Sequence, residues 1–151
     1  MSADEPGAGR IEGREHILPV RIYYEDTDFS GLVYHANYLK YFERARSDFL
    51  RLAGVRHTAL LAQETAIALL AIKVQFRAAA RIDDALIVRS RYEALRGPRI
   101  MLYQAIWRGA ALAAEADVEA CCISLTGQAK RPPKLLVDKV TPFLPPAPSP
   151  F

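Results

Sequence analysis

Apolar and polar residues alternate along several stretches of the chain, whereas one stretch repeats at helical spacing. Residues 17–24 alternate and are rich in β-branched and aromatic side chains, so they predict a first strand. From Asn37 to Ala53 apolar residues instead recur every three or four positions, which predicts one helix of four to five turns. A long helix is therefore expected directly after the first strand.

The helical stretch carries its own start and stop signals. The side chain of Asn37 can accept a hydrogen bond from the free amides at a helix start. Gly54 can adopt the left-handed conformation that ends a helix. The spacing places Leu39, Phe42 and Phe49 on the face expected to be buried. A shorter helical or irregular segment is expected next, over residues 56–64.

Four further strands are predicted, with short turns between them, over residues 67–80, 86–95, 99–107 and 111–125. The last of these is rich in alanine, but its alternation favours a strand over a helix. This order predicts an α+β fold, an antiparallel sheet packed against a single helix. Because one helix cannot cover both faces of such a sheet, we expect an oligomer to bury the remaining face or an edge.

The 151 residues fit one domain with its own core. We expect residues 1–15 to be a flexible segment outside the fold, residues 16–133 to form the domain, and residues 134–151 to be a mobile, proline-rich tail. The start of the chain has no apolar signal-peptide core, which favours a cytoplasmic location. The longest uncharged apolar stretch, residues 65–72, is too short to cross a bilayer.

Charge and cysteine usage exclude several classes of function. The formal charge is +3, but lysine and arginine are spread along the chain, so we expect no nucleic-acid binding. Cys121 and Cys122 are adjacent, which matches neither a metal site nor a disulfide framework. The nucleophile elbow G-x-S-x-G and glycine-rich phosphate loops are both absent from the sequence.

An acidic loop lies between the first strand and the helix and contains Glu25, Asp26 and Asp28. Carboxylates near a helix start are stabilised by its partial positive charge, so a purely structural turn is one interpretation. A metal-binding D-x-D is a second, although no partner ligand stands at suitable spacing. The third is chemical: a carboxylate beside free helix amides can act on an electrophile whose oxygen those amides polarise. Gly31 would then let the backbone approach a ligand, and His35 is either a polar contact to substrate or a cap.

The stretch YYEDTDFSGLVYHANYLKYFERAR, residues 23–46, resembles the signature of the hotdog-fold acyl-CoA thioesterases of the 4-hydroxybenzoyl-CoA thioesterase type. The resemblance is strongest to their YbgC branch, the thioesterases associated with the Tol-Pal system. A second stretch, residues 76–97, supports it. The resemblance implies a sheet wrapped around one long central helix, dimers whose sheets join edge to edge, and often tetramers.

The resemblance also implies roles for individual residues. Asp28 would be the catalytic carboxylate, and the backbone N–H of His35 would polarise the thioester carbonyl. Asp26 would shape the loop and Glu25 would be a solvated neighbour. Gly31, Tyr34 and Asn37 complete the motif and are expected to contact substrate. Phe29 departs from the pattern, since a small residue is more usual there, and we expect it to affect the acyl entrance.

The expected reaction is hydrolysis of an acyl-CoA, with a short aliphatic or an aromatic acyl group. Asp28 either attacks the carbonyl to give a mixed anhydride or removes a proton from attacking water. No cofactor is expected beyond the coenzyme A of the substrate, whose phosphates would be held by basic residues. The candidates are Arg77, Arg81, Arg131 and Lys134.

Two alternatives remain at the level of sequence. One is a non-catalytic module that binds acyl-CoA or an acyl carrier protein and recruits envelope or lipid-synthesis partners. The other is a hotdog hydratase or dehydratase, which needs an acid–base pair such as a histidine with Glu43.

Overall fold

The structure is a computed structural model that describes residues 4–146. Its strands are β1 (Arg10–Glu12), β2 (Glu15–Arg21), β3 (Thr65–Phe76), β4 (Ala85–Arg96), β5 (Arg99–Arg108) and β6 (Ala111–Ser124). Its helices are α1 (His35–Leu52), α2 (His57–Ala62) and α3 (Lys134–Val140). Short 3₁₀ turns occupy Tyr24–Asp26 and Thr141–Phe143. The predicted α+β class and the five predicted strands are confirmed.

All six strands form one antiparallel sheet in the order β1-β2-β4-β5-β6-β3. The chain therefore leaves β2 near one edge, forms α1 and α2, and returns as β3 at the opposite edge. This connection carries α1 across one face of the sheet. Within the described residues no helix is both long and apolar enough to span a bilayer.

The buried face of α1 is largely aromatic. Tyr38, Tyr41, Phe42 and Phe49 pack against the sheet, and Phe49 stacks on Tyr92 of β4 with ring centroids 4.3 Å apart. The expectation for Leu39 was wrong, because its side chain is exposed. The buried face of α1 instead includes Tyr38 and Tyr41, whose rings pack in the core as apolar side chains do.

The ends of α1 match the prediction only in part. Gly54 has φ +91°, so it supplies the left-handed stop as expected. The predicted cap was wrong: α1 begins at His35, and Tyr34 occupies the capping position without a side-chain hydrogen bond. Asn37 lies inside the first turn, where its Nδ2 donates to the carbonyl oxygen of Asp26 at 2.7 Å. It therefore fastens the acidic loop to the helix.

The N-terminal segment takes part in the fold, which corrects the expectation for residues 1–15. β1 pairs with β2, and the backbone N–H of Gly9 donates to Asp48 Oδ2 at 2.9 Å. The same oxygen lies 2.7 Å from Nε2 of His16, whose side chain is fully buried. Asp48 on α1 thus binds both the N-terminal segment at Gly9 and strand β2 at His16. These contacts join positions too distant in sequence for a local pattern to reveal them.

The expectation of a mobile tail from residue 134 was also wrong for the described part. α3 packs on the core through Leu136 and Val140, both fully buried, and the ring of Phe143 meets Phe49 edge-on at 5.0 Å. Proline does not prevent this, because Pro133 precedes α3, where a missing backbone N–H costs no helical hydrogen bond. The remainder of the predicted tail, residues 147–151, lies outside the described residues.

Cys121 and Cys122 are small buried residues of β6 with free thiols. Burial raises the pKa of the Cys122 thiol to about 11. The thiol form therefore predominates at neutral pH, and Cys122 is not a nucleophile.

Replacing Asp48 with alanine is expected to destabilise the fold by about 1–3 kcal/mol, because it leaves the buried His16 ring and the partly buried Gly9 N–H without their shared partner. Denaturant unfolding measures the effect. The matched control is Asp138→Ala, which removes an exposed carboxylate that pairs with Lys134 at 3.2 Å and should cost about 0–1 kcal/mol. Equal losses for the two variants would contradict a special role for Asp48.

Candidate active site

A narrow loop over residues 27–33 positions Asp28. Thr27 pairs with Val33 across the loop, and the backbone N–H of Asp28 donates to the Leu32 carbonyl oxygen at 2.9 Å. Gly31 closes the turn with φ +83°, a conformation that favours glycine, and the space where a side chain would begin is open. A ligand can therefore approach the backbone at Gly31 closely, as the sequence predicts, without meeting a neighbouring side chain.

Asp26 holds the loop in place. Its carboxylate accepts a hydrogen bond from the Tyr23 N–H at 2.8 Å. Its carbonyl oxygen accepts one from the Tyr34 N–H at 3.0 Å and one from Asn37 Nδ2. The predicted loop-shaping role of Asp26 is confirmed in this geometry. Glu25 is exposed on the adjacent 3₁₀ turn, as expected for a solvated neighbour.

Ser30 determines the electrostatics of Asp28. The Ser30 hydroxyl and its backbone N–H both donate to Asp28 Oδ1, the latter at 2.8 Å. These hydrogen bonds favour the charged form and lower the pKa of the Asp28 carboxyl from its ordinary value. The Asp28 side chain is exposed, and like any aspartate of ordinary or lowered pKa it is a carboxylate at neutral pH. Sequence reasoning did not single out Ser30, although an aspartate that bonds to the amide two residues later is a recognised turn signal.

Ser30→Ala is expected to raise the pKa of the Asp28 carboxyl, because the hydroxyl donor is the largest cause of its lowering. A lowered pKa means that the hydrogen-bonded carboxylate is lost as the pH falls through the folded-state pKa, and without Ser30 this transition moves to higher pH. NMR titration of the side-chain carbon of Asp28 measures it. Ser124→Ala, in β6, is the control and should leave the titration unchanged.

The start of α1 presents free amides beside this loop. His35 is the first residue of the helix, and its N–H has no acceptor among the described residues, as expected for the first turn of a helix. The His35 ring is exposed and lies against the Tyr34 ring at a centroid distance of 4.4 Å. The amide predicted to polarise a carbonyl is therefore available.

The end of the edge strand β3 borders the same region. Phe76 meets the His35 ring at 6.4 Å and the Tyr38 ring at 5.5 Å. Arg81 pairs through its backbone with Leu32 in the acidic loop. The structure therefore brings Asp28, Gly31, Tyr34, His35 and Arg81 into one surface region, although they come from a loop, a helix and a turn.

Two of the other predicted basic residues, Arg77 and Lys134, are paired with carboxylates. Arg77 pairs with Glu115 at 3.3 Å and donates to Gln75. Lys134 pairs with Asp138 on α3, while Arg131 is exposed.

Three further features bear on the chemistry. Phe29 is fully exposed, so within one protomer it does not narrow an entrance. Glu43 lies eight residues after His35 on α1, roughly 12 Å along the helix axis, so the two do not form an acid–base pair within a protomer. The described residues contain no cluster of three or more histidine, cysteine, aspartate or glutamate side chains able to hold a metal ion.

Comparison with known proteins identifies the family. The sequence model of the thioesterase-like superfamily matches residues 23–145. The chain belongs to the thioesterase-like superfamily. The matched region includes the whole acidic loop, α1 and the sheet strands β3 to β6, so the candidate active site lies inside it.

Individual proteins similar to this chain are also named as thioesterases. The chain is 39% identical over 109 residues to "Acyl-CoA thioesterase YbgC" of Haemophilus influenzae, which covers 72% of this chain and 80% of that protein. Among solved structures, a "probable thioesterase" from Bartonella henselae has 38% identity and a TM-score of 0.75, with 79% of this chain and 99% of that one covered. A 4-hydroxybenzoyl CoA thioesterase structure has a TM-score of 0.78 at 17% identity, covering 84% of this chain and 99% of that one. At this low identity the similarity supports the hotdog fold and no functional conclusion.

Proposed function

We propose that the protein hydrolyses acyl-CoA thioesters and that Asp28 is the catalytic carboxylate. One observation carries the proposal: Asp28 is an exposed carboxylate, hydrogen-bonded by Ser30, in a loop that Asp26 and Asn37 fasten beside the free amides of α1. That arrangement occurs in a chain with substantial identity to a protein named as an acyl-CoA thioesterase. A binding module without catalysis is less favoured, because binding alone does not require a charged carboxylate beside an oxyanion donor.

The proposed reaction has two possible routes with the same residues. In the first, an Asp28 oxygen attacks the thioester carbonyl, the carbon–sulfur bond breaks, coenzyme A leaves as a thiolate, and water hydrolyses the acyl anhydride. In the second, Asp28 takes a proton from water as that water attacks the carbonyl, and the carbon–sulfur bond then breaks to release coenzyme A as a thiolate. Both routes place negative charge on the carbonyl oxygen. The His35 N–H would stabilise this charge and contribute on the order of 10²–10³-fold in rate.

Coenzyme A would lie along the surface formed by the acidic loop and the turn after β3. Arg81 is the better candidate for a phosphate contact, since its backbone is paired with the loop and its side chain is exposed. Arg77 would have to exchange its bond to Glu115 for one to phosphate. Contacts of Tyr34, Asn37 and Gly31 with substrate remain predictions.

The edge strand β3 supports a homodimer. Within the protomer only one side of β3 is paired, and exposed apolar side chains, including Leu69, Leu70 and Phe76, follow its length. A twelve-residue strand with one unpaired edge is a template for another strand. Because Phe76 lies beside His35, a partner on this edge would enclose the active site.

The finer expectations of the sequence stay predictions. They are a homotetramer, an acyl carrier protein as partner, a cytoplasmic location, association with the Tol-Pal system, and a reaction without a cofactor. A short aliphatic or aromatic acyl group is likewise a prediction.

Release of free coenzyme A from a panel of short aliphatic, long aliphatic and aromatic acyl-CoAs tests the proposed function. We expect turnover that depends on the acyl group and that tracks the purified protein through a final size-exclusion column. No release from any thioester in the panel would contradict the proposal.

A further inference from the structure

Tyr41 of α1 carries a buried hydroxyl to which the fold gives no hydrogen bond. The residue is 1% exposed, and within residues 4–146 no acceptor lies at hydrogen-bonding distance from the hydroxyl oxygen. A buried hydroxyl of this kind loses its hydrogen bonds to water and gains none in return, which costs folding free energy. Because most buried polar atoms in proteins are hydrogen-bonded, Tyr41 is an exception with a reason to be sought in its surroundings.

On α1, Tyr41 lies one turn after the residue that fastens the acidic loop. It follows Asn37 by four positions, so the two side chains are neighbours on the helix surface. Asn37 Nδ2 donates to the carbonyl oxygen of Asp26 at 2.7 Å. Burial and, after it, the negative charge of the Asp26 carboxylate raise the pKa of the Tyr41 hydroxyl. The hydroxyl and this carboxylate therefore lie close to each other.

The Asp26 carboxylate has an oxygen to spare. Its Oδ2 accepts a hydrogen bond from the Tyr23 N–H at 2.8 Å, whereas Oδ1 has no donor in the described part of the chain. A carboxylate can accept hydrogen bonds at both oxygens. An unused acceptor of the acidic loop thus stands beside an unused buried donor of α1.

The Tyr41 ring is held from two sides. The Tyr38 ring meets it edge-on at a centroid distance of 6.2 Å, and the guanidinium carbon of Arg44 lies 5.9 Å from its centroid. A guanidinium over an aromatic face is attracted to the ring. Since the buried ring cannot turn its hydroxyl to solvent, the half-buried side chain of Asp26 is the partner that can move to meet it.

We propose that Tyr41 is a positioning residue whose hydroxyl donates, in solution, to the Asp26 carboxylate and thereby fixes the acidic loop on α1. Asp26 stands two residues before Asp28, and its carbonyl oxygen is bound to the start of the helix by Asn37. A fixed Asp26 therefore keeps the Asp28 carboxylate in place beside the helix amides. Tyr41 acts through the loop and does not touch substrate. Its consequence for catalysis rests on the proposed function.

Tyr41→Phe tests the inference because it removes the hydroxyl and keeps the ring. Without a partner for the hydroxyl, this change would leave the unfolding midpoint unchanged or raise it. We expect a lower midpoint instead. We also expect hydrogen exchange at the Tyr34 amide, which donates to the Asp26 carbonyl oxygen, to be faster by about three- to tenfold. For coenzyme A release, kcat should fall by about tenfold with KM little changed, because the reacting groups are less well placed.

Tyr103→Phe is the matched control. The Tyr103 hydroxyl on β5 also faces a carboxylate, that of Glu115, but it lies on another element than the loop and α1. This variant should leave kcat and the exchange rate of the Tyr34 amide unchanged.

A double-mutant cycle with Asp26→Ala shows whether the effect passes through Asp26. Once that carboxylate is absent, Tyr41→Phe should change neither the unfolding midpoint nor the exchange of the Tyr34 amide further. An unchanged or raised midpoint in the single variant, an equal loss in both backgrounds, or a native kcat would overturn the positioning role. Unfolding and exchange need no thioester, so they decide the contact even if no coenzyme A is released, a result that contradicts only the proposed function.

Discussion

Replacing Asp28 with asparagine is expected to lower kcat for coenzyme A release by ~10³-fold or more. The substitution keeps the shape of the side chain and its acceptor oxygen for Ser30, but it removes the negative charge that either attacks the carbonyl or takes the proton from water. KM should change little, because the variant leaves the surface for coenzyme A intact. Steady-state kinetics on the preferred acyl-CoA separate the two parameters.

The control for this variant is Glu25→Gln, which removes a carboxylate from the exposed 3₁₀ turn three residues earlier. It should retain nearly the native kcat. Both variants need an unfolding midpoint close to that of the native protein. A Glu25→Gln loss as large as that of Asp28→Asn would mean that the overall charge of the loop matters and that Asp28 has no special role.

Acidic residues on the open edge of β3 are expected to prevent the proposed homodimer from forming and, with it, to remove most of the activity. Leu70→Glu/Ala71→Glu places two charges at exposed positions of this strand, where a second copy would bring an identical pair close by. Like charges in register across paired strands are destabilising. Sedimentation velocity should show a shift from dimer or larger species to monomer at micromolar concentration.

Leu125→Glu is the matched control for the edge variant, because it also places acid at an exposed leucine, in the turn after β6. It should keep the native oligomeric state and rate. If the edge variant sediments as the native protein does, β3 is not the interface. If it is monomeric yet fully active, the partner does not complete the active site.

Most of the sheet could be predicted because its alternation is local. In β4, Leu86, Val88, Ser90 and Tyr92 are buried and the residues between them are more exposed, as period-two patterning requires. β1 escaped prediction because three residues give too short a pattern, and its pairing partner lies across a turn. α3 escaped because the nearby prolines suggested a tail, although Leu136 and Val140 stand four apart on one helix face.

The candidate site was predictable to the extent that its residues are contiguous. Asp28, Gly31 and His35 stand within eight positions, and the structure keeps them together through the pairing of Thr27 with Val33. The position of Arg81 beside the loop depends on a contact across about fifty residues, which no local pattern reveals. The contact between His16 and Asp48 is hidden for the same reason.

The measurement that tests the central claim most directly is a paired assay of binding and turnover on one acyl-CoA. Native protein and Asp28→Asn are compared for equilibrium binding of the thioester and for release of coenzyme A. We predict that both bind it with similar affinity and that only the native protein releases coenzyme A at a substantial rate. Equal release by the two proteins, or binding without release by the native protein, would contradict catalysis by Asp28.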